Sequence, residues 1–307
     1  MPPLTPFTSH LLALLFSSSY VGSIYVARSA RTRLTSSNAG SRDDPPVIRA
    51  RLIAATLTSA FNCVVLYVVV ARSDYPLPWN ATLAMLGVSW PATILSCLQT
   101  PVLFLGPLYA SFVASTLPGQ AHYSVKRDFS NVFCTWIGFR NYLWGPLTEE
   151  IVFRACVLAV YALCSARRGM MIAFAPLMFG LAHVHHAWDT YTRGGRTTAA
   201  LKRALISTLF QAAYTTLFGA HASFLFLRTS SLLPPLTAHI FCNIMGIPQL
   251  GYELRRTPAY RTSIQVAYVL GIVGFAGTLV PWTAVPAGGE ESLYWRAPEM
   301  FARFFGA

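Results

Sequence analysis

Two adjacent carboxylates carry the first chemical signal in this sequence. Glu149 and Glu150 stand at the head of an apolar stretch that continues Ile-Val-Phe-Arg-Ala-Cys-Val-Leu through Arg154. On a helix, Glu150 and Arg154 are spaced i,i+4 with the acid first, the favourable order for an ion pair. Glu149 lies about 140° around the axis from Arg154, at roughly 100° per residue. One carboxylate is then neutralised by a guanidinium while its neighbour stays free to take a proton. Pro146 and Thr148 predict a helix start, with Thr148 as its N-cap, and a helix N-terminus favours nearby negative charge. Taken alone, the pair fits two descriptions equally: a functional acid inside an apolar segment, or first-turn charges at a polar boundary.

Histidines supply the second signal. Phe179-Gly180-Leu181-Ala182-His183 is followed by Val184-His185-His186. Phe179 and His183 are i,i+4, so the ring packs beside the imidazole. His183 and His186 share a face at i,i+3, and close histidines can ligate metal. The other reading puts His185 and His186 in a polar exit and leaves His183 alone facing inward. It is the better one: the chain lacks His-Glu-x-x-His, and the only acid close behind is Asp189. The third signal is His239-Ile240-Phe241-Cys242-Asn243. His239 and Asn243 share one helical face, and an imidazole beside a carboxamide suits a developing oxyanion. As an isolated pair, a helix-to-helix hydrogen bond is the more ordinary use.

Together these residues outline a hydrolytic site. Glutamate and histidine, Glu149 with His183, can activate a water by general-base action. His239 and Asn243 can hold the tetrahedral oxyanion. Such a peptidase uses water as nucleophile and calls for no metal, no cofactor and no acyl-enzyme.

The elements that position these groups must be membrane helices. The chain has 307 residues, 54% of them hydrophobic and only 11% charged, with mean hydropathy +0.48. A soluble chain carries about 25% charged residues, so disorder, coiled coil and small secreted disulfide scaffolds are excluded. The formal net charge of +12 sits in short stretches between apolar runs. It fits cytoplasmic loops of a membrane protein and argues for a lipid bilayer rather than nucleic acid as partner. The six cysteines show no CxxC pair and read as buried small hydrophobes.

The fold class expected is an all-α, polytopic membrane bundle of about eight transmembrane helices around a central hydrated catalytic cavity. Residues 1–130 form N-terminal spans with a basic loop at 28–51. Residues 131–250 form the catalytic core, and 251–307 the last span and tail. Spans are expected at 11–27 and 52–71, and over 148–165, 170–184, 205–227, 231–250 and 264–283. The stretch 81–117, with Pro91, Pro101 and Pro107, is one kinked helix or two short ones. The aromatic stretch 132–145 suits the headgroup region, and the basic stretches at 193–203 and 254–261 read as loops.

Three ordered motifs resemble the type II CAAX prenyl endopeptidases, the Ras-converting-enzyme family, within the glutamate intramembrane proteases of abortive-infection type. They are Glu149-Glu150-x-x-x-Arg154, Phe179-x-x-x-His183 and His239-x-x-x-Asn243. The flanks are similar too: Arg140-Asn141-Tyr142, Gly145-Pro146-Leu147-Thr148 and Cys242-Asn243-Ile244-Met245-Gly246. The resemblance covers about 130–250. It implies that Glu149 and His183 activate water, that His239 and Asn243 form the oxyanion hole, and that Glu150, Arg154 and Phe179 support them. It implies as substrates farnesylated or geranylgeranylated CAAX proteins such as Ras-like GTPases, cleaved to release the last three residues. It implies residence in the endoplasmic reticulum membrane, with the site reached from cytosol and bilayer. Two other classes compete: a metal-dependent membrane hydrolase using Glu149, His183, His186 and His239, and a transporter or scaffold with a buried proton path. Paired inverted half-repeats, expected of many transporters, are missing from the sequence.

Overall fold

The computed structural model describes residues 3–26, 43–73, 75–88, 92–181, 185–284 and 292–295, without the side chains of Leu181, His185, His186 and Asp189. Every regular element among the described residues is helical. Helix α1 spans Pro6–Val26 and α2 spans Pro45–Ala71. These two are long and apolar enough to cross a membrane. Both begin on proline, whose fixed φ and missing N–H suit a first helical turn.

The proline-rich stretch resolves into three short helices. They are α3 (Pro78–Met85), α4 (Ile94–Leu103) and α5 (Leu105–Val113). The last two form a bent pair, turned by 69° at Phe104, which counts as a third span if taken as one. Pro101 lies inside α4 and removes a ladder donor, and Phe104 N–H closes a tight turn on Pro101 O at 3.1 Å. Helix α5 packs on α13 (Arg261–Thr278) through Gly106, where a Cβ would fall 2.2 Å from the Tyr268 ring. Gly106→Ala is therefore expected to cost about 1–3 kcal/mol by overpacking, read as a lower thermal midpoint in detergent.

Helix α6 is the centre of the molecule. It runs from residue 136 to 163 as Trp136–Phe139, the π-helical Arg140–Trp144, Gly145–Glu150, the π-helical Ile151–Cys156 and Val157–Leu163. The aromatic stretch and the first acidic span are thus largely one helix. Every side chain from Val152 to Tyr161 is buried, as a helix apolar all round must be.

After α6 come α7 (Arg168–Ala173), α8 (Ala175–Leu181) and α9 (His185–Arg193). Helix α10 (Thr198–Thr229) is capped by Thr197, whose hydroxyl accepts from Ala200 N–H at 3.1 Å. Lys202 and Arg203, expected in a loop, therefore sit in its first turns. The cap at Thr197 starts the helix earlier than the apolar run does. Helix α11 spans Leu233–Met245 and α12 Leu250–Arg256. Helices α1, α2, α8, α10 and α11 all pack on α6.

The outward faces suit hydrocarbon. Leu57 on α2, Leu209 and Leu217 on α10 and Val273 on α13 are each more than 60% exposed. Bare apolar faces of this kind are what lipid covers in a membrane protein. A short late segment ties one end together. Ser292 Oγ donates to Leu227 O at 2.6 Å, Tyr294 OH donates to Met85 O, and Arg168 and Arg228 stack on the two-ring face of Trp295.

Candidate active site

Local geometry of α6 places the acids. Thr148 is not an N-cap, because the helix continues upstream through the π-turn. Its hydroxyl instead donates back to Trp144 O at 2.9 Å and meets Tyr20 OH of α1 at 2.8 Å. That contact joins α1 to the turn that carries Glu149 and Glu150. The second π segment follows them directly; widened turns of this kind recur at functional sites.

The two carboxylates are separated as their spacing predicts. Glu150 is fully buried, and its Oε1 lies 3.1 Å from Arg154 Nη1. The contact is an ion pair without hydrogen-bond geometry. Among the described residues, Glu150 Oε2 and both terminal nitrogens of Arg154 make no hydrogen bond. Rings cover the guanidinium, with its carbon 4.3 Å from the Phe179 centroid and 5.5 Å from that of Phe218. Glu149 points elsewhere, with its side chain 27% exposed.

His239 of α11 joins the acids. Its Nδ1–H donates to Glu150 Oε1 at 2.7 Å, and its Nε2 stands 3.7 Å from Glu149 Oε2. The hydrogen bond to Glu150 fixes the ring's orientation and leaves Nε2 as the nitrogen turned toward Glu149. Phe179 and Phe218 flank the imidazole at 6.1 and 5.0 Å between centroids. Asn243, one turn on, donates Nδ2–H to Asn141 O of α6 at 2.9 Å. Glu149, Phe179, His239 and Asn243 all line a cavity of about 210 Å³. His183 lies outside the described residues, as do the side chains of His185 and His186. Among the described residues, no three His, Cys, Asp or Glu side chains converge as a metal site would require.

The chain is similar to known proteins. The family model described as type II CAAX prenyl endopeptidase Rce1-like matches residues 130–245. The CAAX prenyl protease 2 of Homo sapiens is 32% identical over 291 residues, covering 92% of this chain and 83% of its own length. The chain belongs to the type II CAAX prenyl endopeptidase family. The probable CAAX prenyl protease 2 of Schizosaccharomyces pombe is 30% identical over 89% of this chain and 92% of its own. That of Arabidopsis thaliana is 41% identical over 52% of this chain and 47% of its own length. No solved structure matches.

Every residue that lines the cavity falls within the matched stretch 130–245. Several of those residues carry no motif. Gln211, Tyr214, Thr215 and Phe218 of α10 are these, and Cys242 of α11, from the third motif, completes the wall. The i, i+4, i+7 spacing of Gln211, Thr215 and Phe218 was the available signal. It was muted because the opposite face of α10 is equally apolar.

Proposed function

We propose that this chain is the endopeptidase that removes the last three residues of farnesylated or geranylgeranylated CAAX proteins, by direct attack of water. Glu149 and His183 activate the water, and Glu149 takes its proton. Its oxygen bonds to the scissile carbonyl carbon. The oxyanion is held by Nε2–H of a protonated His239 and by the second Nδ2–H of Asn243. When the C–N bond breaks, Glu149 returns the proton to the leaving amine. Glu150 and Arg154 support the site by holding the ring of His239, and Phe179 covers both cations.

One observation carries the reading. A partly exposed carboxylate and an imidazole nitrogen meet at 3.7 Å on the wall of a cavity that also holds Asn243, in a chain of this family. The reading includes a bundle of about eight spans in the endoplasmic reticulum membrane, with that cavity hydrated and open to cytosol and bilayer. An isoprenoid tail partitions into lipid at roughly 0.8 kcal/mol per buried methylene, which leaves the peptide to enter the wet site. The relatives' names speak for prenylated CAAX substrates.

The test is cleavage of a farnesylated CAAX peptide by purified protein with EDTA present, read by mass spectrometry of the released tripeptide. Turnover is expected to persist. Loss of cleavage on chelation, restored by zinc, would replace this mechanism with the metal-dependent one.

A further inference from the structure

The carbonyl of Asn141 has lost both of its helical donors. In an α ladder it would receive the N–H of residue 145, but the π-turn draws Gly145 N–H to Arg140 O. In a π ladder it would receive the N–H of residue 146, and Pro146 has none. Gly145 permits the arrangement, since a Cβ there would stand 2.5 Å from Arg140 O. Pro146 is buried, and an unpaired backbone carbonyl inside a bundle is costly. Asn243 Nδ2 fills the gap at 2.9 Å. A carboxamide is planar and carries both donors on one nitrogen. Spending one N–H on Asn141 therefore sets the direction of the other, in a side chain that lines the cavity with Glu149 and His239.

We propose that the donor missing at Pro146, opposite Asn243, holds that carboxamide in one orientation: Pro146 is a positioning residue that acts through Asn243. Its catalytic half rests on the peptidase reading above; its structural half does not.

Four full-length proteins in detergent at pH 8 test it: wild type, Pro146→Ala, Asn243→Asp and the double variant. Thermal unfolding is read for all. kcat and KM are read with a farnesylated CAAX peptide for wild type and Pro146→Ala. Pro146→Ala returns a ladder N–H that competes for Asn141 O. It is expected to keep or raise the unfolding temperature, yet to lower kcat about tenfold at unchanged KM, a fraction of the 10²–10³ that losing an oxyanion donor costs. Asn243→Asp sets acceptor against acceptor. It is expected to lower the unfolding temperature by about 3 °C or more beside Pro146, and by less than half as much beside alanine. A proline with only a structural role would lose unfolding temperature and keep its kcat. Equal Asn243→Asp penalties in both backgrounds, or wild-type kcat in Pro146→Ala, would overturn the proposal. The thermal comparison uses no substrate. A wild type that unfolds normally but cleaves nothing would remove the peptidase reading while that comparison still decides the coupling.

Discussion

Glu149→Gln is expected to lower kcat by about 10³-fold or more while leaving the protein folded. General-base transfer contributes roughly 10²–10⁴ in rate, and here the same carboxylate would also return the proton to the leaving amine. The substitution keeps size and polarity and removes only the capacity to take a proton. Its structural cost is small, because Glu149 is partly exposed and stands 3.7 Å from Nε2 of His239, beyond hydrogen-bond distance. The matching change one residue later separates the roles. Glu150→Gln weakens the 2.7 Å bond to His239 and the Arg154 pair together, so it lowers activity and thermal midpoint alike. Measuring kcat and unfolding side by side for both variants checks the division. A Glu149→Gln protein retaining more than about a tenth of wild-type turnover would remove Glu149 from the chemistry.

The second large effect is on stability. Arg154→Met strands a fully buried carboxylate, and breaking a buried ion pair from one side costs about 3–5 kcal/mol. His239 still donates to Glu150 and softens the loss without cancelling it. Arg154→Lys rescues poorly, because a compact ammonium does not reproduce a planar guanidinium lying against Phe179 and Phe218. Arg154→Met combined with Glu150→Gln recovers much of the stability, since no uncompensated charge is left inside. Urea or thermal unfolding in a mild detergent distinguishes these cases. A single Arg154→Met loss below about 1 kcal/mol would overturn this account of the buried pair.

What the sequence disclosed follows from the range of the forces involved. The split between Glu149 and Glu150 was legible because i,i+4 geometry is local. The all-helical class was legible because charge is scarce along the whole chain. The helix start expected at Thr148 was not there. Pro146 ordinarily marks a first turn, but here the preceding residues take the wider π register, and the carbonyl this leaves open is met by Asn243 about a hundred positions away. The bond from His239 to Glu150 was missed for the same reason: it joins two helices whose docking no local pattern records. The break at Phe104 was half visible in Pro101 and Pro107, which announce a kink without giving its angle. Gln211 and Tyr214 became site residues only when α10 was laid against α11.

The late segment Ser292–Trp295 has a consequence for how the molecule is made. It fastens α3 through Met85, the end of α10 through Leu227, and Arg168 at the head of α7. Those elements leave the ribosome well before the clasp is synthesised. One end of the bundle therefore stays unlatched until Ser292–Trp295 is made, so a chain that stops upstream of Ser292 keeps its other helix contacts but lacks the fastening at that end.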